Sequence, residues 1–146
     1  MDYYLFNFSA GDLEQAAAML DAKMWGIAGD ERDRDALAPG DVALIFVATL
    51  EGEFIGRAEL ATEAHDWTRE EAAAYPGDSP GGVLLSEVER WTPGVPLETV
   101  VRRIDPTASN PIVQANAELG FRRGVVGITA DEYGAALALS REARRP

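Results

Sequence analysis

Apolar positions recur along this chain at two spacings, and the switches between them mark out its elements. Tyr3 to Phe8 is a short run rich in aromatic residues, which favours a first strand. From Gly11 to Lys23 the apolar residues Leu13, Ala16, Ala17 and Leu20 return at helical spacing, and Ser9 ahead of them is a plausible N-cap. Met24-Trp25-Gly26-Ile27 is a short apolar island closed by the charged stretch Asp30 to Asp35. Pro39-Gly40-Asp41 is turn chemistry leading into Val42 to Ala48, a run rich in branched residues. A second turn at Leu50 to Glu53 leads into Phe54 to Thr62, so the two runs read as an antiparallel hairpin.

Thr68 with Glu71 has the form of a capping box and predicts a brief helix stopping before Tyr75-Pro76-Gly77. Pro80-Gly81-Gly82 opens a strand from Val83 to Trp91, which Pro93 and Pro96 are expected to end. Leu97 to Ile104 reads as one or two helical turns, Pro111 to Leu119 as another, and Phe121 to Ile128 as the last strand. Thr129 with Glu132 forms a second capping box, starting a final helix that ends near Arg144. Strands in sequence joined by short turns predict an α+β fold, a small and mostly antiparallel β-barrel with flanking helices. A parallel doubly wound sheet fits poorly. With no repeat and no long Gly/Ser or Pro-rich stretch, residues 1–146 are expected to form a single domain.

Composition changes this picture in two ways. The chain has 25 acidic and 13 basic residues, a formal charge of -12, which excludes a generic polybasic DNA-coating protein or a cationic membrane-surface helix. The excess is local: residues 1 to 99 hold 20 acids and 6 bases, whereas residues 100 to 146 hold 5 acids and 7 bases. Lys23 is the only lysine and the other bases are arginine, a bias that fits either a GC-rich genome or adaptation to concentrated salt. Without cysteine there is no disulfide, thiolate nucleophile or Cys-ligated metal. No basic leader precedes an apolar run and no stretch reaches the roughly 18 apolar residues of a membrane span, so a cytoplasmic protein without membrane contact is expected.

Catalytic chemistry is hard to place. Gly124 and Gly127 are spaced as G-x-x-G without the lysine of a phosphate loop, and the single histidine, His65, lacks a metal-binding neighbour pattern and reads as a loop or packing residue. Glu70-Glu71 and Glu87 with Glu89 read as solvated faces. Asn116 to Phe121 is similar to one region of coenzyme A-dependent acetyltransferases, but the glycine-rich pyrophosphate loop of those enzymes has no counterpart. No catalytic residue, metal or cofactor is assigned, and an enzyme is not expected.

A resemblance covers most of the chain. Its parts are Tyr3-Tyr4-Leu5-Phe6, Met24-Trp25-Gly26-Ile27, Pro39-Gly40-Asp41, Phe54 to Leu60, Trp91 to Leu97, and Gly124 to Thr129 leading into Glu132-Tyr133. In order and spacing they resemble the EVE domain, of the PUA-like superfamily and related to the YTH domain. The resemblance implies a pseudo-barrel that binds DNA or RNA carrying a modified base, with a flipped-out base held between aromatic rings. It implies Trp25 as one wall of the pocket, with Gly26 and Ile27 beside it, and Trp67 or Tyr75 as the second wall. Asn110 and Asn116 match a stretch that faces the base edge. Ile27 departs from the polar residue of YTH readers, which argues against methyl-adenine specificity. Stacking of about 1 to 3 kcal/mol per base must offset a flipping cost of a few kcal/mol. Arg102, Arg103, Arg122 and Arg123, in the basic part of the chain, are the expected phosphate contacts. Trp25 beside Met24 and Ile27 fits a core position equally well, and the alternative function is a small-molecule or nucleotide-binding regulatory domain using the same pocket.

Overall fold

The structure, a computed structural model, describes residues 1–8, 13–31, 34–47, 52–104 and 124–143; for 101–104 and 143 it describes the backbone only. In chain order these form β1 (Tyr3–Phe8), α1 (Leu13–Asp21), β2 (Met24–Gly26), a 3-10 turn (Arg34–Ala36), β3 (Val42–Val47), β4 (Glu53–Leu60), β5 (His65–Asp66), α2 (Arg69–Ala74), β6 (Gly81–Pro96), α3 (Leu97–Ile104), β7 (Gly124–Ile128) and α4 (Ala130–Ala143). The strands form one curled sheet in the order β2-β6-β4-β3-β1-β7, with β5 paired to β6. All pairs are antiparallel except β1 with β3, whose crossover contains α1 and β2. The predicted α+β, mostly antiparallel barrel architecture is thus observed as a curled half-barrel with helices against it.

Alternation along β1 divides two cores. Tyr4, Phe6 and Phe8 enter one cluster with α1 residues Ala16, Met19 and Leu20, and with Trp25, Ala58 and Val83. Leu5 points to the opposite face, where Leu44, Phe46, Phe54 and Trp91 pack with Val100 of α3 and with Ala136 and Leu139 of α4. β3 is buried along its whole length because both its faces are covered. A register shift between β3 and β4 at Ile45/Phe46 lets Phe54 serve the second core while Ala58 and Leu60 serve the first.

Both capping boxes form. Thr68 Oγ1 accepts from the Glu71 amide at 3.2 Å and Glu71 Oε1 accepts from the Thr68 amide at 2.9 Å. At α4 the Thr129 hydroxyl and the Glu132 carboxylate exchange the same pair, at 3.1 and 2.8 Å. One expectation fails. The strand from Val83 does not end at Pro93 but runs to Pro96. Phe54 pairs with Val95 and Gly56 with Arg90, so Trp91 to Gly94 bulge out of register and Pro93 needs no ladder hydrogen bond there. β5 and the strand character of Met24–Gly26 were not legible in the pattern; each is too short for a period to show. Ser9, the segment Pro111 to Leu119 and Arg144 lie outside the described residues.

Lys23 sits at φ 57°, the left-handed conformation that closes α1, where its amide donates to the Leu20 carbonyl. A side chain in this conformation costs roughly 1 to 2 kcal/mol, part of which glycine returns through a more flexible unfolded chain. Lys23→Gly is therefore expected to stabilise the protein by up to about 1 kcal/mol in urea titration, with an unchanged m-value.

Candidate functional site

The curl of the sheet brings its two ends together. Trp25 to Ala28 and Glu31, from the β2 end, face Gly124 and Val125 of β7 across a crevice. The crevice is closed, with no space for a water molecule. Trp25 at its floor is 0% exposed, its ring 6.2 Å from Phe6 in a stacked arrangement and 6.0 Å from Phe8 edge-on. Its Nε1 has no hydrogen-bond partner among the described residues. A buried donor left in this state costs about 1 to 3 kcal/mol.

Gly26 is where the site becomes crowded. A Cβ built on it falls 1.9 Å from the Tyr75 hydroxyl and 2.8 Å from Ser79 Cβ, so only glycine fits beneath this loop. On the strand next to it a Cβ on Gly82 would fall 2.0 Å from the Trp25 carbonyl oxygen. Two missing side chains thus let β2 lie between β6 and the loop that follows α2.

That loop is fastened at several points. The Tyr75 hydroxyl donates to Met19 Sδ at 3.3 Å, and the Ser79 hydroxyl to the Gly81 carbonyl at 2.9 Å and more weakly to Ile27 at 3.3 Å. Trp67 donates from Nε1 to the Ser79 carbonyl at 3.0 Å, and its ring lies 5.0 Å from that of Tyr75. The structure therefore brings together five of the sequence-nominated residues, Trp25, Gly26, Ile27, Trp67 and Tyr75. Trp67 is half-buried and pins its own loop; Tyr75 is buried over Gly26. Arg102 and Arg103 lie on α3, where side chains are not described. Asn110, Asn116, Arg122 and Arg123 lie outside the described residues.

His65 and two glutamates are more closely engaged than the sequence pattern indicates. His65, on β5, holds Glu71 through Nε2 at 3.0 Å while Nδ1 lies 2.9 Å from the Glu63 carbonyl. Glu71 is thus shared between the helix cap and the imidazole. Its place in the capping box was the available signal. Glu89 is half-buried and accepts from Arg57 at 3.3 Å and from Trp91 Nε1 at 3.0 Å, so it binds β4 to β6 instead of facing solvent alone. Among the described residues no group of His, Asp and Glu is arranged to hold a metal, and no helix is long and apolar enough to cross a membrane.

No protein-family model matches the chain, and no curated protein matches it by comparison of sequences. Solved structures do match. A hypothetical protein from Leishmania major aligns over 99% of this chain and 98% of its own, with a TM-score of 0.70 at 19% identity. Human THYN1 protein, solved in complex with DNA containing 5-methylcytosine, aligns over the full length of both chains with a TM-score of 0.63 at 17% identity. An ASCH protein from Zymomonas mobilis aligns over 94% of this chain and 95% of its own, at 0.55 and 13%. The fold is the PUA-like, EVE-type fold that the sequence resemblance implied.

Two measurements test this geometry. Gly26→Ala is expected to destabilise by at least about 1 to 3 kcal/mol, the range for overpacking. The penalty is expected to shrink in a Tyr75→Phe background, because the nearest obstructing atom is the hydroxyl. The second concerns pH. The hydrogen bond to the Glu63 carbonyl and the nearby Glu71 raise the His65 pKa, while the Thr68 amide and His65 lower that of Glu71. The histidine contribution is fully present below its unfolded value of about 6.5 and is lost as pH rises through the higher folded value. The glutamate contribution is present above about 4.5 and is lost as pH falls through the lower folded value. The stability difference between wild type and His65→Gln is expected to peak between about pH 4.5 and 6.5, stay under about 1 kcal/mol, and shrink toward pH 8.

Proposed function

We propose that this protein is a nucleic-acid-binding module that accepts a modified or flipped-out base at the seam where β2 and β7 meet, and that it is not an enzyme. The observation that carries the reading is Trp25, a fully buried indole lining the seam whose N–H lacks an acceptor among the described residues. It stands on a fold shared with a protein solved on DNA containing 5-methylcytosine. A base offers what this position lacks: flat apolar faces for stacking and carbonyl or ring-nitrogen acceptors at its edge. Because the seam is closed, the base must part β2 from β7, and the pocket discriminates by how well the guest refills the space. An added methyl in such a pocket is worth about 1 to 3 kcal/mol.

Glu31 on the crevice supports a second reading, a regulatory domain for an uncharged nucleobase or nucleoside, since a carboxylate there disfavours phosphate. The two readings separate on whether binding requires a polymer.

The test is titration of short oligonucleotides, DNA and RNA, carrying unmodified cytosine, 5-methylcytosine, 5-hydroxymethylcytosine or a methylated adenine, alongside the free nucleosides. We expect one modified polymer to bind at least about 10-fold more tightly than its unmodified twin. Trp25→Phe, which keeps an aromatic ring but removes the N–H, is expected to weaken that preference while leaving the circular-dichroism spectrum folded. Equal or undetectable binding across the polymers would remove the first reading. Nucleosides binding as tightly as polymers would favour the second.

A further inference from the structure

The arginines that the sequence offered for phosphate contact do not include Arg34, in the charged stretch before β3. Its side chain is only 17% exposed, yet its one side-chain polar partner among the described residues is a single 3.4 Å contact from a terminal guanidinium nitrogen to Asp66 Oδ1, and Asp66 is 91% exposed. Its Nε is buried with no acceptor among the described residues. Arg57, comparably buried, is by contrast engaged by Glu89 and by the Tyr133 hydroxyl. An arginine carries five N–H donors in a planar fork suited to two parallel bonds with a carboxylate or phosphate. Arg34 uses one of them, at the long end of the hydrogen-bond range.

Two short routes connect this group to the crevice. Its backbone leaves the crevice wall directly, since Glu31 lines the wall and the Arg34 amide donates to the Glu31 carbonyl at 3.2 Å. Its side chain returns through the sheet: Asp66 pairs with Gly81, whose carbonyl accepts from the Ile27 amide at 2.9 Å. Ile27 lines the crevice. Two strand spacings separate Ile27 from Asp66, roughly 10 Å. The phosphates of a nucleotide lie one sugar away from its base, so this flank of the seam is within their reach from a base at Trp25.

We infer that Arg34 is a phosphate-contact residue of the nucleic-acid site, its guanidinium held at the crevice flank by Asp66 until a phosphodiester oxygen takes over the fork. The inference rests on the proposed base-binding function and adds to it a cation drawn from the acidic part of the chain. Asp66 then acts as a competitor, a carboxylate that keeps the partly buried guanidinium from being left without a counter-charge in the free protein. Arg34 also lies near enough to His65 for its charge to disfavour the imidazolium. An incoming phosphate thus meets two potential cations, each in the free protein facing one carboxylate, Asp66 or Glu71.

The experiment is fluorescence-anisotropy titration of a single-stranded oligonucleotide carrying the preferred modified base, and of its unmodified twin, across a series of NaCl concentrations. Arg34→Gln is expected to weaken both about 10-fold, leaving their ratio unchanged, and to flatten the plot of log affinity against log salt by about 0.7, the value of one phosphate contact on a single strand. Arg34→Lys restores most of that slope. Asp66→Asn is expected to tighten binding in the wild-type background and not in the Arg34→Gln background, a result that a merely structural Arg34–Asp66 bridge would not give. Wild-type affinity and slope in folded Arg34→Gln would overturn the inference while leaving base recognition intact. If the wild type binds no oligonucleotide, the base-binding reading fails, and inorganic phosphate becomes the probe. The Arg34 Nε–H resonance, identified by its absence in Arg34→Gln, should then shift on phosphate titration in the wild type; an unmoved resonance overturns the inference as well.

Discussion

β2 is three residues long, and the five nominated residues that the structure brings together are arranged on and around it. On one side the Trp25 carbonyl lies where a Cβ of Gly82 would stand, and on the other Tyr75 and Ser79 occupy the place of a Cβ at Gly26. Close approach on both sides drives the indole of Trp25 inward between Phe6 and Phe8, and it fixes the loop after α2 against the same strand. The crevice, the covering tyrosine and the orphaned indole N–H all follow from it. A side chain at either glycine would move β2 out of the sheet or lift the loop, and in both cases the floor of the seam would change.

The charge distribution acts at a different level. A surface with an excess of carboxylates cannot hold a polyanion by summed attraction, because screened like charges repel along the whole contact. Affinity must come from few contacts, each strong. Stacking on a buried ring and a charge-assisted bond to one phosphate have that character, being short in range and geometrically exacting. The cations that serve such contacts should already be desolvated and incompletely paired, so that little is lost when the ligand arrives. Arg34 has this property. Arg90, paired with Asp21 at 3.0 Å with both groups well exposed, does not.

How much of this was legible depended on how local the signal was. Both capping boxes are four-residue patterns and both form, as does the β3–β4 hairpin written in two turns and two apolar runs. β6 was not legible beyond Trp91 because Pro93 and Pro96 are local stop signals, whereas the bulge that accommodates them depends on the register with β4. The cluster at Trp25, Gly26 and Tyr75 could be nominated only through a family resemblance, since nothing in the spacing of 25 and 75 says that they meet. Glu71 and Glu89 read as solvated charges, and Arg34 as one residue of a charged stretch, for the same reason. Their partners are 6, 32 and 32 residues away, beyond any periodicity.

Trp25 raises the question of how one residue can serve both core and site. Its ring is part of the packing that holds β1 to β2, so truncating it would cost about 3 to 5 kcal/mol, a large share of the stability of a domain this size. Packing alone, however, is satisfied by phenylalanine or leucine, which bring no polar atom into the core. The indole brings an N–H that finds no acceptor among the described residues, at a cost of about 1 to 3 kcal/mol. Such a group makes sense where the fold can open at that point and nowhere else. β2 and β7 are the two ends of the sheet path, so parting them breaks no ladder between described strands. The line along which the sheet path is unpaired and a buried donor without an acceptor among the described residues therefore coincide, which is the arrangement a site for an extruded base requires.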